Sequence, residues 1–122
     1  MVVDDSLAIR RKIERCACMH EGITIISAPD GMRAIDLFRQ AMPELVTMDL
    51  TMPHVDGVEC VKALMTINPE AHILVISALS DKVTALMAIK NGAEGFLKKP
   101  FSDEDLNMAL KELLTKEPHN GY

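Results

Sequence analysis

Five short apolar runs alternate with five amphipathic stretches along this chain of 122 residues, and that alternation narrows the fold more than any other feature. Residues 1–3, 23–27, 45–48, 73–77 and 95–98 are short and apolar, with β-branched residues prominent, as strands require. The stretches 6–19, 32–41 and 58–67, the one that Ser80 or Asp81 opens and Lys90 closes, and the one from Ser102 to about Lys116 carry apolar residues at helical spacing. Punctuation agrees: Asp30 suits an N-cap, Pro43 and Asn68-Pro69 sit just past helix ends, and Asn91-Gly92 suits a left-handed helix stop. Repeated β-α units with right-handed crossovers predict an α/β fold, a doubly wound parallel sheet with helices on both faces. The run 73–77 shows no polar alternation, so it is expected at a central, doubly covered position.

Composition removes several classes of function. With 48% apolar and 25% charged residues the chain has the makeup of an ordinary globular domain, expected over residues 1–116 with a polar tail at 117–122. Its 18 acidic against 13 basic residues give a net charge of −5, which argues against direct nucleic-acid contact. Asp4, Asp5, Arg10, Arg11 and Lys12 exclude a signal peptide near the start, and no apolar run reaches the roughly 20 residues of a membrane helix, so a cytoplasmic location is expected. Cys16, Cys18 and Cys60 form no C-x-x-C pair and are read as reduced, buried thiols. His20, His54, His72 and His119 are read as ordinary surface or loop residues, and Met65 and Met87 as core filling.

Three signals lie at the carboxyl ends of predicted strands: Asp4-Asp5, Asp49 within Met48-Asp49-Leu50-Thr51-Met52-Pro53, and Lys99-Pro100. Ligands bind outside those strand ends in open α/β sheets. Carboxylates converging there repel unless a cation joins them, and a small hard ion such as Mg²⁺ favours such oxygen ligands. A lysine beside them suits a phosphoryl group. Asp4 has a simpler use as a cap of the first helix, yet capping accounts for one acid and not for the convergence. Lys98 alternates to the other side of its strand and is read as a solvated charge.

Taken together, Val2-Val3-Asp4-Asp5-Ser6, Met48-Asp49-Leu50-Thr51-Met52-Pro53 with Asp56-Gly57, Ser77-Ala78, Gly92-Ala93 and Lys98-Lys99-Pro100-Phe101 resemble the bacterial response-regulator receiver domain of two-component systems, nearest to its stand-alone chemotaxis type. The resemblance implies a flavodoxin-like sheet of five strands in the order 2-1-3-4-5 with five helices, here with a short first strand. It implies that Asp49 accepts a phosphoryl group from a histidine kinase or phosphotransfer protein. Mg²⁺ would be held by Asp5, Asp49 and the backbone carbonyl of Thr51, and by Asp4 through water. Lys99 and the Ser77 hydroxyl would contact phosphoryl oxygens, and the backbone N–H groups of Leu50 and Ala78 would complete the cradle. The side chains of Thr51 and Leu79 would influence water access. Phe96 stands where chemotaxis members usually carry tyrosine, so a switch through Ser77 and Phe96 would lack the hydroxyl. A target would dock on the fourth helix, fifth strand and fifth helix, with the oligomeric state open between monomer and dimer. Two other readings stay open: a receiver excised from a longer DNA-binding or enzymatic regulator, and an aspartyl-nucleophile phosphatase, although Thr51 stands where that enzyme needs a second acid. A flavin module is disfavoured, because the turn at Asp4-Asp5 lacks a phosphate-receiving Ser/Thr/Gly loop.

Overall fold

The computed structural model describes residues 1–20, 22–51, 56–78 and 82–115. Five strands, β1 (Val2–Val3), β2 (Ser27–Ala28), β3 (Leu45–Asp49), β4 (His72–Ser77) and β5 (Gly95–Lys98), form one sheet in the order β2-β1-β3-β4-β5, with every pair parallel. Five helices connect or follow them: α1 (Leu7–Ala17), α2 (Gly31–Ala41), α3 (Gly57–Ile67), α4 (Lys82–Lys90) and α5 (Asp103–Leu114). This is the doubly wound, flavodoxin-like α/β arrangement the sequence predicts, short first strand included.

Each described helix start has a local cause. The side chains of Ser6, Asp30, Asp56 and Ser102 accept hydrogen bonds from the N–H groups of Ile9, Arg33, Val58 and Asp105, which satisfies donors that the first turn leaves free. The predicted cap of α4 at Ser80 or Asp81 lies outside the described residues. Beyond α4, Gly92 adopts φ 119°, so its conformation favours glycine, and a Cβ there would lie 2.6 Å from the Met65 side chain, which would have to move.

Two apolar layers sandwich the sheet. On one side Val46, Met48, Ile73 and Val75 pack with Ala34 and Phe38 of α2 and with Val61 and Leu64 of α3. On the other, Val2, Leu74 and Ile76 pack with Ile13 and Cys16 of α1 and with Leu106, Leu110 and Leu113 of α5. Every residue of β4 is buried, as its lack of polar alternation implies, although the middle place belongs to β3 and β4 lies between β3 and β5.

Four sequence expectations change. The strand predicted over 23–27 is a ladder only at Ser27–Ala28, because β1 offers it only Val2 and Val3 as partners. Met87 is 47% exposed and no core filler: α4 buries Ala88 and leaves Val83, Leu86, Met87 and Ile89 outside. His72 is not a surface histidine, since it is 7% exposed and its Nδ1 lies 2.5 Å from Glu94 Oε1. Cys18 is exposed, whereas Cys16 and Cys60 are buried thiols as expected.

Candidate functional site

Strand register assembles the site. Val3 pairs with Met48, Asp49 with Ile76 and Ser77 with Lys98, so Asp4, Asp49, Ser77 and Lys99 all arrive at the carboxyl edge of neighbouring strands. Asp4 stays tied to the ladder through its N–H, which donates to Ala28 O at 3.2 Å, and Lys99 N donates to Ser77 O at 2.9 Å. One carboxylate oxygen from each of Asp4, Asp5 and Asp49 lies within 4.8 Å of the other two. Asp4 and Asp49 are each 1% exposed, and Asp5 faces solvent.

Lys99 bridges the two buried acids. Its Nζ donates to Asp4 Oδ2 at 2.8 Å and stands 3.4 Å from Asp49 Oδ2. Burial alone would lower the pKa of this ammonium. The hydrogen bond to Asp4 and the charges of Asp49 and Asp4 outweigh that, and the net shift is upward. Asp4 is also shifted upward, first by burial and further by the charge of Asp49, against the pull of the Lys99 and Ser6 hydrogen bonds. Three carboxylates meet here and Lys99 pairs with two of them, so the cluster keeps an excess of negative charge that a divalent cation would neutralise.

The remaining oxygens are held by short loops. Asp4 Oδ1 accepts from Ser6 N at 2.9 Å, and Arg10 Nη1 donates to the Asp4 carbonyl at 2.7 Å. Asp49 Oδ1 accepts both from Thr51 N at 2.9 Å and from Thr51 Oγ1 at 2.7 Å. The Thr51 hydroxyl thus holds Asp49 Oδ1 and leaves Oδ2 toward Lys99. The Asp-x-Thr spacing was the available signal, because side chains two apart across a tight turn can meet. Arg10 was missed, its contact depending on how α1 leaves the Asp4-Asp5 loop. Gly57 is a further positioning residue. A Cβ on it would lie 2.6 Å from Leu50 Cα and 3.1 Å from Asp49 O, so the start of α3 approaches the residues after β3 as only glycine permits.

Ser77 is fully buried at the end of β4, and Ala78 after it is exposed. Leu50 is 8% exposed and Thr51 lies open to solvent. Phe96, opposite Val75 on the edge strand β5, is 36% exposed, and Lys98 is a solvated charge as expected. Met52, Pro53 and Leu79 fall outside the described residues, as do His54, His119 and the tail.

A sheet of this order with an acid triplet and a lysine at its carboxyl edge defines a class, and comparison with known proteins agrees: residues 1–111 match the response regulator receiver domain, and the chain belongs to that family. Among curated relatives it is 32% identical to the chemotaxis protein CheY of Thermotoga maritima over 113 residues, covering 93% of this chain and 94% of that one. It is also 32% identical to the response regulator MprA of Mycobacterium sp. (strain KMS) over 122 residues, 99% of this chain and 53% of that one. Among solved structures, the receiver domain of NtrX from Brucella abortus superposes with a TM-score of 0.86 at 29% identity, over 94% of this chain and 98% of that one. A CheX-CheY-BeF3-Mg+2 complex from Borrelia burgdorferi gives a TM-score of 0.86 at 29% identity, over 94% and 87% of the two chains. The protein is thus a two-component receiver domain with chemotaxis proteins among its relatives.

Proposed function

We propose that this receiver is a phosphorylation-driven switch in which Asp49 takes a phosphoryl group from a histidine kinase or phosphotransfer protein. The observation that carries the reading is the meeting of Asp4, Asp5 and Asp49 oxygens within 4.8 Å beside the Lys99 ammonium. The donor set fits Mg²⁺: all its protein ligands are oxygens, with Asp5 on the open side where coordinated waters remain. Asp5, Asp49 and the Thr51 carbonyl would hold the ion, with Asp4 reaching it through water. When bound, it neutralises the repulsion between the Asp49 carboxylate and an incoming anion.

The chain's own residues do the rest. Asp49 Oδ2 faces the site and is the nucleophile, since Oδ1 is tied down by Thr51. It forms an O–P bond as the donor's N–P bond breaks, and the freed imidazole of the donor keeps the electron pair and takes up a proton. Lys99 exchanges its bond to Asp4 for a phosphoryl oxygen, while the Ser77 hydroxyl and the N–H groups of Leu50 and Ala78 donate to the others.

A signal leaves through the face of α4, β5 and α5, where Val83, Leu86, Met87 and Ile89 of α4 and Phe96 of β5 are exposed. Movement of Ser77 toward the phosphoryl group lets the Phe96 ring turn inward, held by packing alone, and shifts a two-state equilibrium. The activity is that of a signalling domain over residues 1–116 acting in the cytoplasm on a protein target, with monomer and dimer both open. Titration with Mg²⁺ tests the site: Asp5→Asn should weaken binding more than Asp4→Asn, and equal, negligible effects would remove the ion from this reading.

A further inference from the structure

Lys99 lies in the short connection from β5, which ends at Lys98, to α5, which begins at Asp103. Its N–H donates to Ser77 O at 2.9 Å, and beyond it the chain leaves the sheet. Two residues on, the Phe101 carbonyl accepts from Nζ of Lys12, on α1, at 2.6 Å. The same ammonium stands 4.6 Å from the centroid of the Phe101 ring, and Phe101 is 7% exposed in the layer that also holds Ile13, Leu106 and Leu110. The contact of Lys12 with Asp103 is weaker: 3.8 Å long, between side chains 30% and 71% exposed, it is an ion pair that adds little. Lys12 therefore directs its short bond at a main-chain carbonyl two residues from Lys99. A second base on α1 does the same elsewhere, since Arg10 Nη1 donates to Asp4 O at 2.7 Å. Two residues along a helix point roughly 200° apart, so Arg10 and Lys12 reach to opposite sides of α1. One holds the loop of Asp4 and Asp5, the other the connection that carries Lys99.

We propose, on the reading of Asp49 as phosphoacceptor, that Lys12 is a positioning residue for the transfer: through the Phe101 carbonyl it fixes the main chain of Lys99, and with Arg10 it makes α1 the spacer that keeps the Lys99 ammonium beside Asp4 and Asp49. At most about 7 Å of extended chain separates Lys99 from Phe101, so a carbonyl released from Lys12 lets Lys99 shift with it. Alignment is costly to lose, and a misplacement of about 1 Å lowers a rate by up to about a hundredfold. The residues read as Mg²⁺ ligands, Asp5, Asp49 and the Thr51 carbonyl, lie in other loops, so Lys12 acts on the phosphoryl contact of Lys99 and not on the ion.

The test measures, in the full chain, the rate at which acetyl phosphate labels Asp49 and, separately, the affinity for Mg²⁺. Lys12→Met keeps the stem beside the Phe101 ring and deletes the donor; it should slow labelling at saturating Mg²⁺ roughly tenfold while Mg²⁺ affinity stays within about twofold of the parent. Lys12→Arg, which restores a donor, should recover most of the rate. Asp103→Asn should stay within about twofold of the parent, because the bond to the Phe101 carbonyl remains in place. In Lys99→Met, adding Lys12→Met should slow the residual labelling no further, since the group being positioned is gone. An unchanged rate in Lys12→Met, an equal loss in Asp103→Asn, or a fall in Mg²⁺ affinity that matches the fall in rate would each overturn the proposal. So would the same fold loss with and without Lys99, which is what a merely structural role gives. A parent that takes no label at all overturns the phosphoacceptor reading, and the role of Lys12 with it.

Discussion

Replacing Lys99 by methionine, which keeps the stem and deletes the charge, isolates what holds the acid cluster together. The ammonium lies 2.8 Å from Asp4 and 3.4 Å from Asp49, both 1% exposed. At an effective dielectric of about 20 those contacts are worth about 6 and 5 kcal/mol gross, against a desolvation cost of several kcal/mol per ion. Removing the shared cation leaves two buried carboxylates facing each other, which costs about 3–5 kcal/mol. For a domain of this size that lowers the melting temperature by about 10–20 °C in chelator. Mg²⁺ should recover more stability in Lys99→Met than in the parent, since no ammonium then competes for the Asp4 and Asp49 oxygens; at a hundredfold excess over Kd, binding adds about 2.7 kcal/mol. The pH signs follow from linkage. Lys99 is raised above its ordinary 10.5, so its contribution is complete below that value and disappears as pH climbs through the higher folded value. Asp4 is raised too, and the native state binds its proton more tightly than the unfolded chain does, so stability from this group falls as pH rises through its folded value. Lys99→Met should therefore lose the alkaline transition and gain stability on acidification more steeply than the parent. Thermal melts with chelator and with Mg²⁺ across pH read all of this, and a variant melting within a degree of the parent with the same pH profile would refute the reasoning.

Asp49→Asn should raise the melting temperature in chelator by relieving repulsion with Asp4, and fluorescence or calorimetric melts would show it. Gly57→Ala should destabilise by about 1–3 kcal/mol, because its Cβ would stand 2.6 Å from Leu50 Cα, and should also slow phosphorylation as the loop after β3 shifts; denaturant unfolding beside a phosphorylation time course separates the two effects. Cys60, whose thiol burial pushes up to about 11, should resist alkylation at pH 8 until the protein unfolds, whereas exposed Cys18 reacts at once, as mass spectrometry of timed samples would record.

Much of this was legible because the local signals agree with one another. Asp30 and Ser102 cap the helices their sequence contexts announce, whereas α1 is capped by Ser6 and not by Asp4, and the strands at 45–48, 73–77 and 95–98 appear within a residue of expectation. Strand ends then carried Asp4, Asp5, Asp49 and Lys99 together without any knowledge of their contacts. What the sequence hid depends on partners. Ile23 to Ile26 have strand-like side chains, but a ladder also needs a neighbour, and β1 supplies only two residues. Met87 follows helical spacing, yet the small residues Ala88 and Ala93 make the packing of α4, which turns its larger side chains outward. His72 is buried at the start of β4, where Glu94, in the approach to β5, lies against it. Thr51 was singled out for its carbonyl and for water access, whereas the bond from its hydroxyl to Asp49 was not foreseen.

The central claim is that Asp49 alone accepts the phosphoryl group, and intact-mass spectrometry after incubation with acetyl phosphate and Mg²⁺ tests it most directly. The account expects one added phosphoryl mass on the parent, its disappearance in Asp49→Asn and in chelator, and retention of Asp49 as the labelled residue after borohydride trapping. Labelling of Asp49→Asn at the parent's rate, or trapping at Asp4 or Asp5, would contradict it.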